Sequence, residues 1–275
     1  MTQPSNSTQK NQTKKKSEAI QMTLELPSDK EVEKLLEQLK YLKLPGIAEH
    51  YEVTALKANK DSWSHVNYLT QLIELENNMR QEKAIERKVK SARFPFVKTL
   101  DQFSWNWPKK INQLQIKDLF RLQFLKKQSN IILLGGVGLG KTHLATALGH
   151  HACLNGKRVL FTNTVDAINS LLVAQKSGRL KLEMRKYIKP ELLILDELGY
   201  LPIDKNGADM LFQIISGRYE VGSTVITTNR AFKDWPEIFN NDSTLTSALL
   251  DRLLHHAQTV VIEGKSYRMK DQIEN

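Results

Sequence analysis

Four residues at fixed spacing hold the clearest chemistry in the chain. Gly135, Gly140, Lys141 and Thr142 fit the pattern G-x-x-x-x-G-K-[ST]. The loop runs Gly135-Gly136-Val137-Gly138-Leu139-Gly140-Lys141-Thr142-His143. Such a loop turns consecutive backbone N–H groups inward at a helix N-terminus, where the dipole adds positive potential for an anion. Lys141 is placed to reach β- and γ-phosphates, and the Thr142 hydroxyl to join a Mg²⁺ shell. These residue types imply binding of a nucleoside triphosphate, with ATP and Mg²⁺ as the expected ligands. A second group follows about 50 residues later, where the apolar run Leu192–Leu195 ends in Asp196-Glu197. Mg²⁺ takes few protein ligands, so Asp196 suffices as an acidic one. Glu197 is placed to orient or deprotonate an attacking water. Asn229 ends the run Val225–Thr228, where its amide can position water beside a γ-phosphate.

These groups need a particular scaffold. Ile131–Leu134 predicts a strand entering the loop, and Leu144, Ala145, Ala147 and Leu148 predict a helix leaving it. Strands are expected at Arg158–Thr162, Leu192–Leu195 and Thr224–Thr228, with helices at Val165–Ala174 and Asp209–Arg218. Alternation of this kind means an α/β fold with a parallel sheet covered on both faces. Its ligands bind beyond the C-terminal ends of the strands.

The preceding half reads differently. Ser28 is a candidate N-cap, with Glu31 three residues on, for a helix over Asp29–Leu44. Pro45-Gly46 ends it, and further helices are expected at Ile47–Ala58 and Trp63–Ala92. The expected organisation is a disordered basic arm (1–27), a helical N-terminal domain for DNA or partner binding (28–93), a linker (94–112) and an ATPase domain (113–275). The linker aromatics Trp105 and Trp107 are expected to pin the connector to its neighbour, and another helix to span Gln113–Phe124.

The net charge of +10 is uneven. Residues 1–130 hold 23 lysines and arginines against 15 acidic residues, and the remainder holds 17 against 15. A basic half attached to a nearly neutral one points to a polyanion, nucleic acid before membrane surface. Arg80, Lys83, Arg87 and Lys90 step by three, four and three along one helical face, widened by Lys88. Cations so aligned can follow a phosphate backbone. Cys153 is the single cysteine, which excludes an internal disulfide. No apolar run reaches the roughly 18 residues of a membrane span, and a cytoplasmic protein is expected. Histidines 143, 150, 151, 255 and 256 lack sequence-spaced partners for a structural metal site. His143 is read as packing beside the loop.

Together, G-G-V-G-L-G-K-T-H-L, L-L-I-L-D-E-L-G-Y-L, R-Y-E-x-G-S-T-V-I-T-T-N-R and L-L-D-R-L-L-H-H-A with E-G-K-S-Y-R resemble the IstB-like ATP-binding proteins of insertion sequences. These are AAA+ ATPases related to DnaC-type helicase loaders. The resemblance covers about residues 30 to 270. It implies that Lys141 and Thr142 are the Walker A pair, Asp196 and Glu197 the Walker B pair, and Asn229 the sensor-1 residue. It implies that Arg252 is an arginine finger acting on a neighbouring subunit, with Arg218 and Arg230 as rivals, and that Arg268 contacts nucleotide. It further implies an ATP-dependent homo-oligomer on double-stranded DNA, with a transposase as partner. A DnaC-like helicase loader is the alternative within the class; a small-molecule kinase and a slowly hydrolysing switch lie outside it. Only about 45 residues follow Asn229, so the usual helical lid is expected to be very short.

Overall fold

The computed structural model describes residues 28–269. The basic-arm expectation for 1–27 therefore lies outside the described residues. Contacts divide the chain between Arg80 and Gln81 into two compact units.

The first unit contains α1 (Asp29–Tyr41), α2 (Pro45–Lys60) and the start of α3 (His65–Ser91). Ser28 and Glu31 close the expected capping box, with Glu31 Oε2 accepting from Ser28 N at 2.9 Å. The division falls inside α3, directly after Arg80. Few apolar side chains of this unit are buried: Leu39, Ala58 and Leu72. Its polar anchor is Glu76, which accepts from Gly46 N at 2.7 Å, Ile47 N at 3.3 Å and Arg80 Nε at 2.5 Å. One α3 carboxylate thus satisfies two otherwise unpaired donors at the N-terminus of α2.

The second unit is a five-stranded parallel sheet in the order β2-β3-β4-β1-β5. Its strands are β1 (Asn130–Gly135), β2 (Val159–Asn163), β3 (Leu192–Leu198), β4 (Ser223–Thr228) and β5 (Ala257–Ile262). Both faces are covered, which is why the strands read as unbroken apolar runs. Ile132, Leu193, Leu195 and Ile226 pack on one side against α7 (Thr164–Lys176), α9 (Lys205–Arg218) and α11 (Ser243–Leu254). Ile131, Leu133, Ile194, Val225 and Val260 pack on the other, against α4 (Gln113–Leu119) and α6 (Lys141–Leu154).

Three features depart from the sequence expectations. The helix expected over Gln113–Phe124 is broken: α4 ends at Leu119, Leu122 takes a left-handed φ of 57°, and α5 is only Gln123–Lys126. α8 (Leu180–Ile188) and β5 were not anticipated, and α10 (Trp235–Ile238) is a single turn. After Asn229 the described chain forms α10, α11 and β5, and β5 completes the sheet beside β1. No helical lid follows β5 among the described residues.

The connector aromatics do pin this segment to the sheet. Phe94 meets His150 and Phe161 edge-on at 6.4 and 6.2 Å, and Trp107 Nε1 donates to Lys265 O at 2.9 Å. Among the described residues no helix is long and apolar enough to cross a membrane.

Candidate functional site

The phosphate loop joins β1 to α6, and two of its glycines adopt left-handed φ, 73° at Gly138 and 85° at Gly140. A side chain there would be strained, which explains the loop's composition. Lys141 opens the helix and is buried. Its Nζ donates to Gly135 O at 2.8 Å and Gly136 O at 2.7 Å, and lies 3.5 Å from the Tyr200 hydroxyl. Burial pulls its pKa below the ordinary lysine value, and the charges of Asp196 and Glu197 oppose that pull.

Asp196 sits at a bulge in β3, between the pairs Leu195–Ile226 and Leu198–Thr228. It is buried and accepts from Thr142 Oγ1 at 3.0 and 3.1 Å and from Thr227 Oγ1 at 2.5 Å. Burial raises its pKa, with Glu197 adding to the rise, while the two hydroxyls and Lys141 oppose it. The hydroxyl of Thr142 and the carboxylate of Asp196 are the hard oxygen donors that Mg²⁺ accepts, so the pair fits that cation.

Glu197 takes a left-handed φ of 62°, uncommon for a residue with a Cβ and a form of strain found at active sites. Its N–H donates to Thr227 Oγ1 at 2.9 Å, and its Oε2 accepts from Asn163 Nδ2 at 2.7 Å. Asn163 ends β2 and caps α7 through Val165 N at 2.9 Å. Asn229 follows β4, and its Oδ1 is buried with no partner among the described residues. An amide oxygen left without a donor is costly unless a ligand or water meets it.

Of these groups, the loop from Gly138 to Thr142, Glu197 and Tyr200 border a cavity of about 320 Å³. Its lining comprises Gly138 to His143, Glu197 and Tyr200, the connector residues Phe96, Phe103 and Trp107, and Tyr267 and Arg268. His143 is a packing residue, as expected: its Nε2 lies 2.9 Å from Thr99 O and its ring meets Phe103 at 5.5 Å. Val137 is exposed in the loop, and Leu139 is buried.

The remaining candidates scatter. Arg252 lies on α11, its guanidinium 4.8 Å over Phe212 and donating to Ala248 O at 3.1 Å. It borders a small recess with Asn130 and Thr224, at the strand ends remote from the phosphate loop. Arg218 is excluded as a finger. It is buried, donates to Thr224, Tyr187, Ile188, Pro190 and Ser223, and burial lowers its pKa to about 10. Arg230 is half exposed, 3.7 Å from Glu237. In the basic stripe, Arg80 is engaged by Glu76 and by Lys43 O, Lys88 donates to Gly156 O at 2.6 Å, and Arg87 donates to Lys83 O. Lys90 completes α3. One group outside the cavity brings metal-binding types together: Glu220, His255 and His256, with ligand atoms within 4.8 Å of one another. Their separation in sequence concealed that grouping.

Asn163, Thr227 and Tyr200 were missed. Asn163 and Thr227 lie at or near C-terminal strand ends, a signal that is informative only once the strand order is known.

A family model described as IstB-like ATP binding protein matches residues 37–275. The chain belongs to this family. Its relatives include the insertion sequence IS232 ATP-binding protein of Bacillus thuringiensis subsp. berliner, 42% identical over 87% of this chain and 95% of that protein. The insertion sequence IS21 ATP-binding protein of Pseudomonas aeruginosa is 39% identical over 85% of this chain and 88% of its own length. Among solved structures, the DnaC helicase loader covers 60% of this chain and 96% of its own, at TM-score 0.51 and 24% identity. AMPPCP-bound DnaA from Aquifex aeolicus also reaches TM-score 0.51 at 24% identity, over 64% of this chain and 55% of its own. At that identity the structural matches establish the fold, an AAA+ P-loop core. The IstB-like assignment rests on the sequence relatives.

Proposed function

We propose that this chain is an ATP-dependent helper of transposition, which assembles on double-stranded DNA with ATP, engages its transposase, and is released or remodelled by hydrolysis. The observation that carries the ATPase part is the convergence of Lys141, Thr142, Asp196 and Glu197 at the C-terminal end of a parallel sheet. The insertion-sequence relatives support the transposition part.

In this reading Lys141 exchanges the carbonyls of Gly135 and Gly136 for the β- and γ-phosphates of ATP. Thr142 and Asp196 would hold Mg²⁺, which neutralises phosphate charge when bound. Glu197 leaves Asn163 and orients the attacking water, and the unpaired Oδ1 of Asn229 accepts a hydrogen bond from that water. Arg268 lies at the cavity mouth for the nucleotide. Arg252, remote from its own phosphate loop, serves as the finger for a neighbouring copy and makes turnover depend on assembly. DNA would be gripped by the N-terminal helices, with Arg80, Lys83, Arg87, Lys88 and Lys90 along α3 as contacts.

The test is imaging of the Glu197→Gln protein with ATP and duplex DNA. An ordered ring, spiral or filament is expected; dispersed monomers would sink the proposal.

A further inference from the structure

We propose that Tyr200 reads the terminal phosphate, donating its hydroxyl proton to a γ-phosphate oxygen and so separating ATP from ADP. The inference deepens the reading of the cavity as an ATP site and rests on it.

The backbone aims this side chain. Just before Tyr200 stand two left-handed residues, Glu197 at 62° near the end of β3 and Gly199 at 87° just beyond it. A Cβ at Gly199 would stand 2.7 Å from Ile238 Cδ1 and 2.9 Å from Arg230 Cγ, so the turn is packed as well as bent. The result returns the chain over the phosphate loop. The Tyr200 hydroxyl lies 3.5 Å from Lys141 Nζ, and its ring centroid 6.0 Å from the same ammonium. Lysine is a donor only, so the tyrosine oxygen is the acceptor in that contact. The hydroxyl proton has no acceptor among the described residues, within a cavity built for an anion.

The position selects the γ end. Tyr200 is three residues beyond Glu197, the candidate water-orienting carboxylate, and borders the same cavity. An oxygen that Lys141 can grip on the last phosphate is also within reach of Tyr200. Burial, with Glu197 and Asp196, raises the phenol's pKa, so the group remains a donor at neutral pH. ADP lacks that oxygen.

The experiment uses the full chain and Tyr200→Phe, which keeps the ring over Lys141 and removes only the hydroxyl. Affinities for Mg²⁺-AMPPNP and Mg²⁺-ADP are measured by calorimetry. The variant is expected to lose about tenfold in affinity for the triphosphate analogue and to keep its ADP affinity, in line with one hydrogen bond to a charged acceptor. Unchanged triphosphate affinity, or an equal loss for both nucleotides, would overturn the proposal while leaving the ATP site standing. Failure of the wild-type chain to bind either nucleotide would bring down the ATP reading and this inference together. An unshifted melting temperature excludes misfolding as the cause of a loss.

Discussion

Glu76 in the helical unit and Asp196 in the ATPase unit are both buried carboxylates, and their surroundings push them in opposite directions. At Glu76 burial favours the neutral acid, but bonds from Arg80, Gly46 and Ile47 outweigh it and hold the pKa below the ordinary value. At Asp196 burial prevails over the threonine hydroxyls and the distant charge of Lys141, and the pKa rises. A carboxylate supplied with a guanidinium and two amide donors is complete as it stands. One that accepts side-chain bonds only from hydroxyls carries charge that no cation among the described residues pairs with directly. The first is a fastening between helices; the second is suited to an added cation.

Replacing each carboxylate by its amide tests that contrast most strongly. Asp196→Asn should lower Mg²⁺-dependent ATP turnover by about a hundredfold or more, as loss of a charged electrostatic group at a reaction centre does. Its melting temperature should hold or rise, since a charge that is costly to bury has been removed. A marked loss of stability would place Asp196 with Glu76 as a structural residue. Glu76→Gln should show the converse, with nucleotide affinity intact and the helical unit weaker by about 2 kcal/mol, the scale of hydrogen bonds to a charged group. Hydrogen exchange at the Gly46 and Ile47 amides gives the direct reading.

The two sites also differ with pH. The folded pKa of Glu76 is depressed, so its stabilisation is present above the ordinary carboxylate value and is lost as pH falls through the folded value. The folded pKa of Asp196 is raised, so its ionised form costs stability at neutral pH and acid relieves that cost. Acid unfolding followed in the wild type and in Glu76→Gln should therefore converge at low pH. The smallest effect expected is at Asn163→Ala, which frees Glu197 from its amide. Basal ATP hydrolysis should rise by about twofold to fivefold, from a hydrogen bond worth about 0.5–1 kcal/mol. No change would mean that the contact does not restrain Glu197.

Much of the phosphate site was legible because it is local. Gly135 to Thr142 are consecutive, and Asp196-Glu197 end a run so apolar that a buried strand is its natural reading. The partners that tune these groups were not legible. Thr227 and Asn163 reach β3 only because β4 and β2 flank it, and strand order does not follow from the pattern of any one strand. β5 was missed since A-Q-T-V-V-I lies on an edge and is only partly buried. The α3 stripe shows the opposite error: helical spacing correctly put its cations on one face, but Lys88 turns to Gly156, 68 residues away. The break at Leu122 is a left-handed turn at a residue whose type does not announce it.

The walls of the nucleotide cavity come from distant parts of the chain, residues 96–108 before β1 and Tyr267-Arg268 after β5. Tyr267 N bonds Gly138 O, Trp107 bonds Lys265 O, and Lys110 and Glu263 form an antiparallel bridge. During synthesis the phosphate loop therefore leaves the ribosome well before its own enclosure exists. The cavity is complete only once every residue from Phe96 to Arg268 has been made.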